Sequence, residues 1–240
     1  DSARCPYGPR SFEVVYEFTL QAVSKLFELG CPLVILACNT ASAKALRTIQ
    51  QINLPVIDAT RRVLGVIRPT AECIGEITRS RHVGILATAG TIKSESYLLE
   101  IHKLSPDIVV TGEACPMWVS LVENNEYQSE GADYFVKQHI NRLLDKDPMI
   151  DTIILGCTHY PLLLDKIRQF TPGHIRIIAQ GEYVARSLQD YLNRHPEMDA
   201  RCEKGGKCRF LTTESENKFE ESASIFLGRQ DIKVESIALE

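Results

Sequence analysis

The chain has 240 residues, of which 44% are apolar and 24% charged, with a formal net charge of −4. That mixture is ordinary for a soluble globular protein and excludes disordered, fibrous and disulfide-stapled miniature classes. Lysine and arginine are scattered, so nothing supplies the basic footprint of a nucleic-acid binder, and small ligands are the expected partners.

The longest uncharged stretches, 30–43 and 152–164, fall short of the roughly 18 to 20 residues that span a bilayer. Charged residues between Arg4 and Glu28 leave no apolar run near the N-terminus that could act as a secretory signal. The chain is therefore read as cytoplasmic, with no membrane partner. Eight cysteines, at 5, 31, 38, 73, 115, 157, 202 and 208, are spread through a long chain, which favours reduced thiols. Cys202 and Cys208 bracket Glu-Lys-Gly-Gly-Lys, but no second Cys/His pair at zinc-like spacing accompanies them, so no metal site is expected.

In chain order, helical periodicity over 11–29 leads to a Val/Ile-rich strand at 33–37, then to a helix over 41–52 and a strand at 55–58. A helix over 61–78 precedes a strand at 82–87, and a helix over 92–103 precedes one at 107–111. Helix 131–144, strand 152–156, helix 161–169 and strand 175–179 follow. The chain closes with helix 182–194, strand 207–211, helix 216–227 and a last strand at 232–237. Short apolar runs alternating with helical segments predict an α/β fold with mainly parallel sheets.

One pattern occurs twice. Leu-Val-Ile-Leu-Ala-Cys38-Asn-Thr-Ala-Ser and Thr-Ile-Ile-Leu-Gly-Cys157-Thr-His-Tyr-Pro each run from an apolar strand through a small residue to a cysteine, two polar residues and a helix start. Ligands of open parallel sheets bind beyond the carboxyl ends of the strands, where both cysteines should sit. A helix N-terminus there lowers a thiol pKa and holds an anion. Free cysteine is also among the most buried residue types, so either one alone reads equally well as packing. Two in matching turns could instead flank one molecule, one thiolate removing an α-proton while the opposite thiol delivers one. Around them, Asn39, Thr40 and Thr158 can cap a helix or bond a ligand. His159 can tune Cys157 or relay its proton, and Glu123 can serve as its carboxylate partner. Thr88 and Thr91 follow a strand and start a helix, where capping is the simplest role.

These residues resemble the glutamate racemase family. The resemblance is carried by Ala37-Cys38-Asn39-Thr40-Ala41-Ser42 and by Leu155-Gly156-Cys157-Thr158-His159-Tyr160-Pro161. It extends to Asp1-Ser-Ala-Arg-Cys-Pro6-Tyr7-Gly8, Gly90-Thr-Ile-Lys-Ser and Ala114-Cys-Pro-Met-Trp-Val-Ser-Leu-Val-Glu123, in order along the chain. It implies two similar doubly wound α/β domains facing each other across an active-site cleft, 1–61 plus 180–240 forming the first and 62–179 the second. It also implies that Cys38 and Cys157 are the paired acid and base, with Glu123 and His159 as auxiliaries. Tyr7, Gly8, Asn39, Thr40, Thr88, Thr91, Thr158 and His159 then line the pocket for L- or D-glutamate. The family uses neither pyridoxal phosphate nor metal, supplies D-glutamate for peptidoglycan, and leaves a homodimer open.

In the family a strand, an Asp-Ser-Gly loop, a helix and a second strand precede the Asp-x-Ala-Arg-x-Pro-Tyr-Gly motif, at which this sequence begins. The expectation from the resemblance is that the chain as it stands is less active and less stable than one carrying that segment. The alternatives are a sibling racemase acting on aspartate or another small amino acid, and an inactive binding module.

Overall fold

The computed structural model describes residues 1–228 and 232–239. Its first sheet pairs β1 (Leu33–Leu36) with β2 (Arg62–Gly65) in parallel, Leu33 opposite Arg62 through Leu36 opposite Gly65. The helix Phe12–Glu28 begins on Ser11, whose hydroxyl accepts from the Val14 N–H. It buries Val15, Thr19, Val23 and Phe27, a four-residue spacing that places them on one face. Val23 and Phe27 pack there with Val34, Leu36, Val63, Ala45 and Ile49.

The second sheet is fully parallel. It contains β3 (His82–Ala87), β4 (Val109–Ala114), β5 (Thr152–Gly156) and β6 (Arg176–Ala179) in the order β4-β3-β5-β6. Side chains alternate across it with period two. Leu86, Ile153 and Leu155 join Trp118, Val136, Ile140 and Leu143 on one face, while Val83, Ile85, Ala87 and Ile154 join Ile67, Ile74, Tyr97 and Ile101 on the other. Helices thus cover both faces, the doubly wound arrangement, and β5 is buried along its whole length. A third parallel pair joins β7 (Phe210–Thr212) to β8 (Val234–Ser236).

The strand order locates the site. From β3 the chain goes outward to β4, then passes back to lay β5 on the other side of β3. That reversal opens a crevice beyond the carboxyl ends of β3 and β5. Among the described residues no helix is long and apolar enough to cross a membrane.

Several expected elements need correction. The stretch 55–58 is no strand: Leu54–Ile57 is a helical turn with Pro55 in its first turn, where a missing N–H costs nothing. A run this short and apolar fits either period. The strand lies instead at β2, inside the expected helix 61–78, which reduces to Ile67–Ile77. The expected helix 41–52 starts earlier, as Asn39–Lys44, and continues through Leu46–Thr48 and a π-helical stretch, Ile49–Asn53. Helix 92–103 is two helices, Ala89–Lys93 and Ser96–Leu104, broken where Glu95 adopts φ 55°. Helix 161–169 splits into a 3-10 turn, Tyr160–Leu163, and Leu164–Phe170. Pro116–Glu123 is a helix with no counterpart in the sequence reading.

Candidate active site

Register between strands brings the two cysteine turns together. Ala87 pairs with Gly156, so the next residues, Thr88 and Cys157, leave neighbouring strand ends. Thr88 then reaches toward β1: its hydroxyl lies 2.9 Å from that of Thr40 and 3.1 Å from that of Thr91, with Thr40 and Thr91 3.3 Å apart. This buried triangle of hydroxyls ties the turn after β3 to the helix Asn39–Lys44, which follows Cys38. Cys38 and Cys157 therefore converge on one crevice.

The N-terminal segment closes over the same turn. The Gly8 carbonyl accepts from the Gly90 N–H at 3.0 Å, and a Cβ on Gly90 would stand 2.7 Å from that carbonyl oxygen. Only glycine permits so close an approach. Tyr7 is half-buried, its hydroxyl donating to the Asp1 carboxylate and its ring 6.1 Å from that of Phe18.

On the opposite side, the Cys157 sulfur lies 3.8 Å from His159 Nδ1, and His159 Nε2 is hydrogen-bonded to Glu123 Oε1. A carboxylate only accepts, so Nε2 carries a proton, and in the neutral form of the ring Nδ1 offers its lone pair to the thiol. The bond from His159 holds the Glu123 carboxyl below the usual carboxylate range, against the effect of burial. Glu123 ends the helix Pro116–Glu123 and is exposed at the mouth with Thr158. Thr158, His159, Pro161, Leu162 and Phe226 line a hollow of about 400 Å³ at that mouth.

Both thiols are pushed up, contrary to the expectation from helix N-termini. Burial raises Cys38, and the N–H groups of Ala41 and Thr40 with the Thr40 hydroxyl offset only part of it. Burial pushes Cys157 up to about 12, with Cys38 and Cys5 adding to the rise and the His159 and Tyr160 N–H groups opposing it. One reason is local: Cys157 precedes a 3-10 turn, Tyr160–Leu163, rather than an α-helix, so little dipole acts on it. At Cys38 the sulfur is itself the cap, accepting from Ala41 N–H at 3.5 Å, and Asn39 and Thr40 lie inside the first turn. Because the thiolate is the reactive species, alkylation of Cys157 in the ligand-free protein should be slow near neutral pH. It should keep accelerating well past the ordinary thiol value of about 8.5, toward the raised value of about 12. Peptide mapping after iodoacetamide treatment checks this; labelling of Cys157 at pH 7 ahead of the exposed Cys208 would contradict it.

The sequence profile of the Asp/Glu/Hydantoin racemase family matches residues 2–188. The glutamate racemase of Listeria monocytogenes is 39% identical over 240 residues, covering 100% of this chain and 86% of the relative. A crystal structure of a glutamate racemase isoform from Bacillus anthracis superposes with a TM-score of 0.89 at 36% identity, covering 100% of this chain and 86% of that one. The glutamate racemase of Francisella tularensis in complex with D-glutamate does so with a TM-score of 0.86 at 28% identity, over 100% and 86%. The chain belongs to the Asp/Glu/hydantoin racemase family. It is an amino-acid racemase of the glutamate racemase branch, with the two-domain α/β fold of that branch.

Seen as a racemase site, the geometry groups Cys38, Thr40, Thr88, Thr91 and Gly8 on one side and Cys157, His159 and Glu123 on the other, with Thr158 at the rim. Three residues escaped the sequence reading. Cys5 is near enough to feel its neighbours: surrounding protein, then the charges of Glu123 and Cys38, raise its thiol. Its place between Arg4 and Pro6 in the opening motif was its only signal. Tyr97 contacts Asn39, and Gln180 contacts Tyr97, across long sequence separations, and nothing local marks them.

Proposed function

We propose that this racemase interconverts L- and D-glutamate in the cytoplasm without pyridoxal phosphate or metal, supplying D-glutamate for peptidoglycan. Cys38 and Cys157 serve as the two acid/base groups. The observation that carries the reading is the convergence of a half-buried thiol, Cys38, and a buried one, Cys157, from separate strand ends on one crevice, each with its own hydrogen-bonding partners. The substrate comes from the relatives' shared name.

In this reading the α-carbon lies between the sulfurs, with Thr40, Thr88, Thr91, Asn39, Thr158, Tyr7 and the Gly8 backbone around it. His159 Nδ1 takes the Cys157 proton, and the resulting imidazolium is held by the Glu123 carboxylate. Burial that raises a thiol's pKa makes its thiolate a stronger base, which suits removal of a weakly acidic α-proton. Cys38, still protonated, donates from the other face. The reverse reaction exchanges the roles.

Two units frame this cleft, 1–61 with 180–240 and 62–179, so that each supplies one cysteine. The strand β1 leading to Cys38 and the strand β5 leading to Cys157 belong to different sheets, which supports one cysteine in each unit. However, β2 (Arg62–Gly65) pairs with β1, so the first boundary belongs after β2 rather than at residue 61.

The test is circular dichroism of L-glutamate incubated with the purified full-length protein after treatment with a carbonyl-trapping reagent. Loss of the optical signal toward the racemic value is expected. Racemisation of L-aspartate but not L-glutamate would make the chain a sibling racemase. Glutamate binding without turnover would make it a binding module.

A further inference from the structure

Asn39 is 3% exposed, yet its Nδ2 has no hydrogen-bond partner among the described residues. A buried amide N–H left unpaired is costly, and such groups in native proteins call for a reason. The other end of the same carboxamide is held firmly. Tyr97 Oη donates to Asn39 Oδ1 at 2.7 Å, and Gln180 Nε2 lies 2.6 Å from Tyr97 Oη, 2.9 Å from Thr70 Oγ1 and 3.1 Å from the Val66 carbonyl. Tyr97, Thr70 and Gln180 are all buried.

The direction of every bond in this chain can be deduced. A main-chain carbonyl only accepts, so Val66 fixes Gln180 with its nitrogen toward the cluster. Gln180 then has an N–H to give to the Tyr97 oxygen. Burial keeps the Tyr97 hydroxyl protonated by pushing its pKa far up, so its own proton goes to Asn39 Oδ1. Asn39 is left with its oxygen occupied and both N–H bonds free. Amide orientation is ordinarily ambiguous between O and N; here Val66 removes the ambiguity three side chains away.

The five participants come from distant parts of the chain. Asn39 opens the helix after β1, Val66 and Thr70 stand at the start of Ile67–Ile77, Tyr97 is in Ser96–Leu104, and Gln180 follows β6. The relay therefore passes through the segments that join the two sheets and ends on the residue next to Cys38.

We propose that Gln180 and Tyr97 are positioning residues that act through Asn39, locking its carboxamide so that Nδ2 is offered to a carboxylate oxygen of the bound amino acid. This rests on the glutamate reading above. The lock acts on substrate binding, so its loss raises KM; where Nδ2 meets the α-carboxylate, on which charge gathers as the α-proton leaves, kcat falls as well.

Three variants of the full-length protein test it. Tyr97→Phe frees Asn39 to adopt either orientation, and KM for L-glutamate should rise about tenfold, equivalent to about 1.4 kcal/mol. Gln180→Glu should be worse, with KM up about 100-fold. The introduced carboxyl turns the relay around whether or not it is protonated. Its single O–H, if present, goes to the Val66 carbonyl, so Tyr97 must donate to the carboxyl and accept from Asn39 Nδ2. Asn39 Oδ1 then faces the substrate carboxylate. The double variant Tyr97→Phe with Gln180→Glu cannot transmit the reversal, and its KM should fall back to the Tyr97→Phe level. A merely structural role predicts the opposite, with the double variant worse than either single one.

The same reversal is read without substrate in the 1H–15N resonances of the Asn39 carboxamide, which should shift in Gln180→Glu relative to wild type, whereas the double variant should show no shift relative to Tyr97→Phe. Unchanged KM values in folded variants, or worsening in the double variant, with Asn39 resonances unmoved, overturns the relay. A wild-type protein that neither binds nor racemises glutamate overturns the functional reading instead, while the amide resonances still decide the relay.

Discussion

Cys38→Ser and Cys157→Ser are each expected to lower racemisation of glutamate by about 10² to 10⁴, the usual cost of losing a positioned acid or base. A serine hydroxyl keeps the shape of the thiol, though it is smaller, and is far less acidic, so it neither removes nor delivers the proton well. The two variants should then differ in an instructive way. With a substrate analogue that carries a leaving group on Cβ, removal of the α-proton by one base is enough for elimination. The surviving cysteine faces only one side of the α-carbon, so each variant should process one enantiomer, and the preferences should be opposite. Stopped elimination assays with both enantiomers settle it. Equal loss for both enantiomers in both variants would show that the thiols do not stand on opposite faces. Stability should change little, since neither sulfur makes more than weak hydrogen bonds, at 3.5 Å for Cys38 and 3.8 Å for Cys157.

What the sequence disclosed follows from how local each signal is. Strands 82–87 and 152–156 match β3 and β5 residue for residue, because their Val/Ile-rich runs are bounded by turn residues on both sides. The helix 216–227 also matches. The register that places Thr88 beside Cys157, by contrast, is a property of two strands far apart in the chain, Ala87 pairing with Gly156, and no window contains it. The cysteine turns were legible as an echo. Their difference was not, since Tyr160 in a 3-10 turn and Ala41 in an α-helix follow similar polar pairs.

Protonation misled for a related reason. A helix start is visible in a sequence, whereas the burial that outweighs it at Cys38 is built by residues from elsewhere in the chain. The same holds for the short apolar run Leu54–Ile57, where tertiary packing of Leu54 with Ile49 and Val63 decides for a helical turn over a strand. Glu123, offered by the sequence as a carboxylate partner for His159, ends a helix that the sequence reading lacks and thereby meets it.

That missed helix carries the second large expected effect. Trp118→Ala should destabilise the protein by about 3 to 5 kcal/mol, the range for removing a large aromatic from a core. Trp118 is fully buried, packed edge-on against Tyr160 at 4.8 Å between ring centroids and against His139 at 6.1 Å. For a chain of this length each kcal/mol moves the melting temperature by about 2 to 4 °C, so a fall of roughly 6 to 20 °C is expected by calorimetry. The damage should reach the site. Tyr160 opens the 3-10 turn behind Cys157 and donates to the Cys115 carbonyl at 3.2 Å, so a cavity beside its ring loosens that turn. At the far end of the same helix, Glu123 loses its fixed position against His159. Trp118→Phe separates the two contributions: it keeps most of the packing and removes an indole N–H that has no partner among the described residues, so its melting temperature should lie near that of the wild type. Glu123→Gln is the complement, because the side chain is exposed and carries a charge that would hold a protonated His159; turnover should fall while the melting temperature stays. A Trp118→Ala protein melting within about 2 °C of wild type, less than 1 kcal/mol on this scale, would mean that the turn bearing Cys157 is held by something other than this ring.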